Sequence, residues 1–198
     1  MKPTPLIALG ILLALAGAFF TRRAFAAEGE YADDFTLFSN AFPSGGGNMS
    51  GDQEANLYAF LALIRRLESN DDYGALVMGG QFTDFSEHPA LIGWPGVRLA
   101  DGRLTTAAGA YQITRTTWND LGGTAKYGDF SKAAQDQAAV DLLTRRGALP
   151  EILAGNFDRA VTKVVKEWEA FERMLAGNYP TTIQEARNIY AGGGGAFA

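Results

Sequence analysis

The sequence predicts an α+β fold: a mainly helical domain with a small β-rich lobe forming a cleft, preceded by an N-terminal hydrophobic helix. Three observations carry this. Leu57, Leu61 and Ile64 repeat at helical spacing on one face of a segment that ends near Asn70. The pattern then stops being helical: Leu76, Val77 and Met78 run into Gly79 and Gly80, and Pro89, Gly93, Pro95, Gly96 and Gly102 interrupt the stretch up to Arg103. Such a segment reads as short strands and long loops, a suitable wall for a cleft between helices. Helical signals return at Thr114 and continue to the C-terminal glycines.

The 198 residues suit one domain with some surplus at each end, and an apolar share of 47% is enough for a real core. The formal charge of −5, with Lys and Arg scattered, argues against nucleic acid as a partner, since phosphate binding wants a clustered basic surface. There is no cysteine, which excludes a disulfide framework and a thiol nucleophile. His88 is the only histidine, so zinc sites built on several His ligands are excluded as well. No metal and no other cofactor is expected.

From the N-terminus, Leu6 to Phe20 form an apolar run of signal-peptide length, short for a membrane-spanning helix. Ala24-Phe25-Ala26 supplies a cleavage pattern, whereas Arg22 and Arg23 are atypical of a cleaved signal. Residues 1–26 are therefore a signal peptide or a membrane anchor, and the protein is expected to be exported to the periplasm or attached to a membrane through residues 6–20. Residues 27–51, Gly- and Ser-rich from Ser44, read as a flexible linker. The domain is placed at 52–191, with Asp52 as N-cap of its first helix and 192–198 as a flexible tail. Later helices are expected from Thr114 through Leu121 and from the Ser131 cap to Arg146, closed by Gly147. Pro150 opens a short one, Asn156 caps another whose Val161, Val164 and Trp168 face the core, and Thr182 with Glu185 forms a capping box for the last.

Glu68 occupies the next position in the apolar series of the first helix, so its carboxyl group should emerge beside the packed face. Desolvation there raises a carboxyl pKa, which suits a group that donates a proton near neutral pH. A solvated glutamate on a helix's last turn has the same local sequence. The second informative stretch is Thr105-Thr106-Ala107-Ala108-Gly109-Ala110-Tyr111-Gln112-Ile113. Its small residues allow another chain to lie close, and Tyr111 and Gln112 offer an apolar face and an amide suited to N-acetylated sugars. A tight turn into a strand is the alternative. Trp94, in a loop between Gly93 and Pro95, is the better sugar-stacking candidate, since Trp118 and Trp168 at helical spacing read as core. His88-Pro89 reads as structural, and Arg65-Arg66 as a solvated face.

Together these stretches resemble the lambda-type phage endolysins. The resemblance runs over most of residues 55–190 and rests on Glu68-Ser69, Phe82-Thr83-Asp84 with His88-Pro89, Ala108 to Gln112, Asp129-Phe130-Ser131 with Gln135-Asp136, and Arg146-Gly147-Ala148-Leu149-Pro150. It implies a lysozyme-like fold and lytic transglycosylase activity on the glycan strands of peptidoglycan, with other virion or lysis proteins as further partners. It implies Glu68 as the catalytic glutamate and Ser69, Tyr111, Gln112 and Tyr179 as substrate-cleft residues. Gly74-Ala75 stand where that family carries Tyr-Asp. A hydrolytic glycosidase normally needs a second carboxylate, and none of Asp71, Asp72, Asp84 and Glu87 is compelling, the first two lying past the helix end where a turn holds them in solvent. A transglycosylase manages with one glutamate. The alternatives are a hydrolytic muramidase of the same fold and a non-catalytic wall-binding virion protein.

Overall fold

The computed structural model describes residues 49–198. The apolar run 6–20 and residues 27–48 of the linker lie outside the described residues, among which no helix is long and apolar enough to cross a membrane.

Helix α1 (Gly51–Ser69) is the element the others pack around. Ser50 is its N-cap: its hydroxyl accepts from Gln53 N–H at 3.3 Å, and the Gln53 side chain accepts from Ser50 N–H at 3.0 Å. This reciprocal box starts the helix ahead of the expected Asp52 cap, and Asp52 lies in the first turn, where a carboxylate favours the helix dipole. From Asn56 the helix is buried around most of its circumference rather than on one face; Leu57, Phe60, Leu61, Leu63 and Ile64 are all essentially inaccessible. Phe60 stacks on Phe171 at 6.0 Å between ring centroids and meets Phe157 and Tyr190 edge-on. The helix ends at Asn70, in the left-handed conformation that stops a helix and turns the chain sharply.

The small lobe comes next in the chain. Strand β1 (Ala75–Leu76) pairs antiparallel with β2 (Gly80–Gln81), and β3 (Val97–Arg98) with β4 (Leu104–Thr105). Leu76 also bridges to Ala108, which ties the first hairpin to the loop beyond the second. The remaining helices are α2 (Arg115–Leu121), α3 (Gly123–Tyr127), α4 (Lys132–Arg145), α5 (Leu149–Leu153), α6 (Phe157–Val164), α7 (Glu169–Leu175) and α8 (Ile183–Gly192). Thr114 and Ser131 cap α2 and α4 with their hydroxyls, and Thr182 with Glu185 forms the expected box at α8. α1 packs chiefly on α5 and α8.

Three further expectations are corrected. Asn156 sits at the N-cap of α6, but its side-chain amide donates to Glu151 Oε2 at 3.0 Å instead of capping. Trp168 does not continue α6: that helix stops at Val164, and Trp168 is the extended residue that starts α7, buried with its indole N–H donating to Tyr111 O at 3.0 Å. Residues 192–198, read as a flexible tail from their glycines, fold back on the domain. Ala196 N–H donates to the Asn56 side chain at 2.7 Å, Ala198 N–H to Gly155 O at 3.0 Å, and the Phe197 ring packs on Phe157 and Tyr190. Gly195 lies so close to the Tyr190 ring that a Cβ would overlap it.

A methyl group at position 195 has no room unless the tail or the ring moves. Gly195→Ala should therefore destabilise the domain by about 1–3 kcal/mol in urea unfolding; unchanged stability would mean that the tail contributes nothing.

Candidate active site

Glu68 lies in the last turn of α1. The residue is only partly buried, but its Oε1 is fully buried and has no hydrogen-bond partner among the described residues. Burial pushes the carboxyl group up to about 7. The backbone N–H of Ala170 faces the carboxylate and favours its charged form, while the negative charge of Glu169 opposes it. Both belong to the first turn of α7. Tyr179, from the segment between α7 and α8, completes the surroundings: its hydroxyl donates to Leu67 O at 2.6 Å, and burial, then the charge of Glu68, pushes it up to about 12.

What fixes the end of α1 is a network beneath it. Arg65, expected on a solvated face, is 5% exposed. Its guanidinium donates to Tyr111 Oη at 3.1 Å and to Asp71 Oδ1 at 3.3 Å, and lies 3.6 Å from Asp136 Oδ1. Position 65 comes one helical turn after Leu61, so the backbone carries it inward, and only a full set of acceptors makes a buried cation tolerable there. The hydroxyls of Tyr111 and Tyr73 both donate to Asp136 Oδ1, at 2.5 and 2.7 Å.

The expected cleft residues are therefore divided. Tyr111 is 1% exposed, and its ring and hydroxyl are committed to this network, so it leaves no face for a sugar. Ser69 Oγ lies 2.9 Å from Ala110 O and 3.2 Å from Arg65 O and accepts from Asp72 N–H, which binds the helix end to the 105–113 loop. Gln112 closes the tight turn of that loop: its N–H and its side-chain amide both donate to Gly109 O, and its φ of 48° is a strained value for a non-glycine residue. Gly109 is required beneath it, since φ is 77° and a Cβ would overlap the buried Gln135. Gln135 in turn accepts from Ala110 N–H at 2.8 Å. Trp94 is partly buried against the core, its backbone N–H donating to Pro89 O at 3.0 Å. Of the expected cleft residues, Tyr179 is the one whose charge environment is coupled to Glu68.

His88 is fully buried between Ile113 O, 2.9 Å from Nε2, and Ala90 N–H, which donates to Nδ1. Burial lowers its pKa, and its role is structural. The carboxylates near Glu68 in sequence are engaged elsewhere. Asp71 is exposed, as expected, and pairs with Arg65, and Asp72 accepts from Gly74 N–H and the Gln81 side chain. Asp84 accepts from Ser86 N–H, and Glu87 from Trp118 Nε1 and Thr124. Glu169 is the carboxylate that acts on Glu68. It was missed because nothing local in Trp168-Glu169-Ala170 marks it; only the packing of α7 against the end of α1 does.

Glu169 also lines a pocket of about 330 Å³. The other walls come from Leu99, Arg103 and Thr105 of the second hairpin and from Thr106 and Thr114 ahead of α2. Four threonines, two leucines and two opposite charges make up the lining, a mixed surface that offers hydroxyl groups to a polar ligand. No group of three or more His, Cys, Asp or Glu among the described residues is placed to hold a metal ion.

A helical domain with a small β lobe, and a glutamate with one buried carboxyl oxygen at the end of its central helix, defines a lysozyme-like protein. Residues 59–197 match the family model described as Endolysin, and the chain belongs to that family. An endolysin of Escherichia phage P2 is 30% identical over 154 residues, which is 71% of this chain and 93% of the relative. The endolysin of Escherichia phage lambda is 33% identical over 104 residues, 52% of this chain and 63% of the relative. Among solved structures, bacteriophage lambda lysozyme complexed with a chitohexasaccharide is similar with a TM-score of 0.58 and 27% identity, over 73% of this chain and 97% of that one. A second structure of lysozyme from bacteriophage lambda has the same TM-score at 24% identity, over the same shares of the two chains.

The pKa of Glu68 makes a stability prediction. Raised to about 7 from an ordinary 4.5, the group binds its proton more tightly in the folded protein. The resulting stability is fully present below the unfolded value and is lost as pH rises through the folded one. Between pH 5 and 8.5, wild-type protein should lose about 2 kcal/mol relative to Glu68→Gln, less than the full linkage value because the residue is partly exposed. Denaturant unfolding at both pH values checks this; parallel changes in the two proteins would refute it.

Proposed function

We propose that this chain is a phage-type endolysin that cleaves the glycan strands of peptidoglycan between MurNAc and GlcNAc as a lytic transglycosylase. The observation that carries the reading is Glu68: at the end of the central helix, burial pushes its carboxyl group up to about 7, which suits a proton donor near neutral pH. Family membership supports the same substrate, as does the similarity to a lysozyme solved with a chitohexasaccharide.

In this reading Glu68 donates its proton to the glycosidic oxygen as the bond to C1 breaks, and the substrate's own N-acetyl group stabilises the cation that forms. Glu68, now a carboxylate, removes the proton of the C6 hydroxyl. The C6 oxygen closes onto C1, giving a 1,6-anhydromuramoyl end and restoring the acid. The buried, unpartnered Oε1 supports this use by disfavouring the charged form, so that the carboxyl group retains a proton to give. Tyr179 borders the carboxyl group, and Arg65, Tyr111 and Ser69 fix the helix end that presents it.

One observation favours a second reading, a hydrolytic muramidase. Glu169 is a second carboxylate near Glu68, and hydrolysis needs a group to activate water or to act as nucleophile. The products separate the two. Muropeptides released from purified murein should be lighter by one water than their reducing-end counterparts; reducing ends would instead establish hydrolysis. Glu68→Gln should lower the rate at least about a hundredfold, and wild-type clearing by that variant would contradict both readings. We further propose that residues 1–26 carry the domain to or across the membrane, for host lysis or for local opening of the wall at entry. Deleting them should leave the protein in the cytosolic fraction, and unchanged membrane or periplasmic recovery would refute this.

A further inference from the structure

Helix α7 and the residues flanking it are tied down at both ends around the end of α1. At the entry, Trp168 is 3% exposed and its indole N–H donates to Tyr111 O at 3.0 Å. At the exit, the Tyr179 hydroxyl donates to Leu67 O at 2.6 Å. Between them Phe171 stacks on Phe60 of α1, with 6.0 Å between ring centroids. Segment 168–179 is therefore a strap: it packs on the helix that carries Glu68, is pinned to that helix at its exit, and is pinned at its entry to the loop that holds the helix end.

Both acceptors belong to the frame of Glu68. Leu67 is its chain neighbour, and the Leu67 carbonyl is among the last four of α1, which the helix itself leaves without donors. Tyr111 and Ala110 hold the other side: Tyr111 Oη accepts from Arg65 at 3.1 Å, and Ala110 O from Ser69 Oγ at 2.9 Å. Ahead of the strap, Glu167 is clamped by Arg145 at 3.0 Å and by Arg146 at 2.7 Å, so the connection from α6 is held independently of Trp168. The titratable groups that face Glu68 are Glu169 and Tyr179, both of the strap; Arg65, on its own helix, is turned away to Tyr111, Asp71 and Asp136.

We propose that Trp168 and Tyr179 are positioning residues, whose two hydrogen bonds hold the 168–179 strap against the end of α1, keep water from Glu68 Oε1 and so keep the carboxyl group ready to give its proton. The inference rests on Glu68 being the acid of glycan cleavage. Oε1 is buried without a partner, so the proton is held by desolvation, and desolvation lasts only while the strap stays down. Removing either donor leaves a backbone carbonyl unpaired, which favours a lifted strap that lets water reach it. The Tyr179 hydroxyl is engaged by that carbonyl rather than offered to a sugar.

Trp168→Phe and Tyr179→Phe each remove one donor and keep a ring in place. In the full-length protein, labelled at glutamate and followed by carbon-detected NMR, the Glu68 titration should fall from about 7 toward the ordinary 4.5 in each variant, and furthest in the double variant. On purified murein the high-pH limb of kcat/KM should move down with it; a fall of about one unit lowers kcat/KM at pH 7 about fivefold. Tyr190→Phe is the control: it removes the hydroxyl bonded to Ala196 O at the C-terminal tail and should lower stability without moving the titration. An unmoved Glu68 titration in the variants, or an equal shift in Tyr190→Phe, would overturn the proposal. If Trp168→Phe does not fold, Tyr179→Phe, at a partly exposed position, decides alone. Full activity of Glu68→Gln would instead overturn the reading of Glu68 as the acid, independently of the titrations.

Discussion

A carboxyl oxygen buried without a hydrogen-bond partner is costly, and a fold keeps one only where the surrounding structure leaves it no alternative. Glu68 Oε1 is such an atom. It sits at the end of a helix buried around most of its circumference, so α1 cannot rotate to bring the carboxyl group into water without unpacking Phe60, Leu61 and Ile64. The chemistry of the site derives from that constraint. An ordinary surface glutamate has lost its proton at neutral pH; burial pushes this one up to about 7, so that it keeps part of its proton there.

Position matters as much as protonation, and the position of Glu68 is set from below. The last turn of α1 is bonded to the 105–113 loop through Ser69 and to α4 through the Arg65–Tyr111–Asp136 group. Tyr179 reaches over the same turn to the carbonyl of Leu67. Three parts of the chain distant in sequence therefore converge on two turns of one helix. Residues expected to meet substrate, Tyr111 and Ser69, are members of this support. Burial of the Arg65 guanidinium would lower its pKa, but Tyr111, Tyr73 and Asp136 more than offset this, so a charged centre persists inside the domain.

Much of this was legible in the sequence where the signals are local. The capping box at Thr182, the caps at Thr114 and Ser131, the short strands and loops of the small lobe and the emergence of Glu68 beside a packed face all depend on local signals, although the pairing of those strands into two hairpins does not. The start of α1 was legible in principle: Ser50 and Gln53 are a capping-box pair, although Asp52 is also a residue type that caps well. The burial of Arg65 was equally within reach, since it lies one turn after Leu61. What could not be read is what depends on long-range packing. Nothing near Glu169 reports that α7 docks against the end of α1, and Gly192 to Gly195 look flexible until the Tyr190 ring is placed against them.

The central claim is that Glu68 presents its proton to a glycosidic bond lying in the cleft beside Glu169. A crystal structure of the Glu68→Gln protein with an oligomer of N-acetylglucosamine tests it most directly. The account predicts a glycosidic oxygen within about 3 Å of the side chain at position 68, with the sugars running over the pocket lined by Arg103, Thr105 and Glu169. Sugars bound on another face, with position 68 out of reach of every glycosidic oxygen, would contradict it.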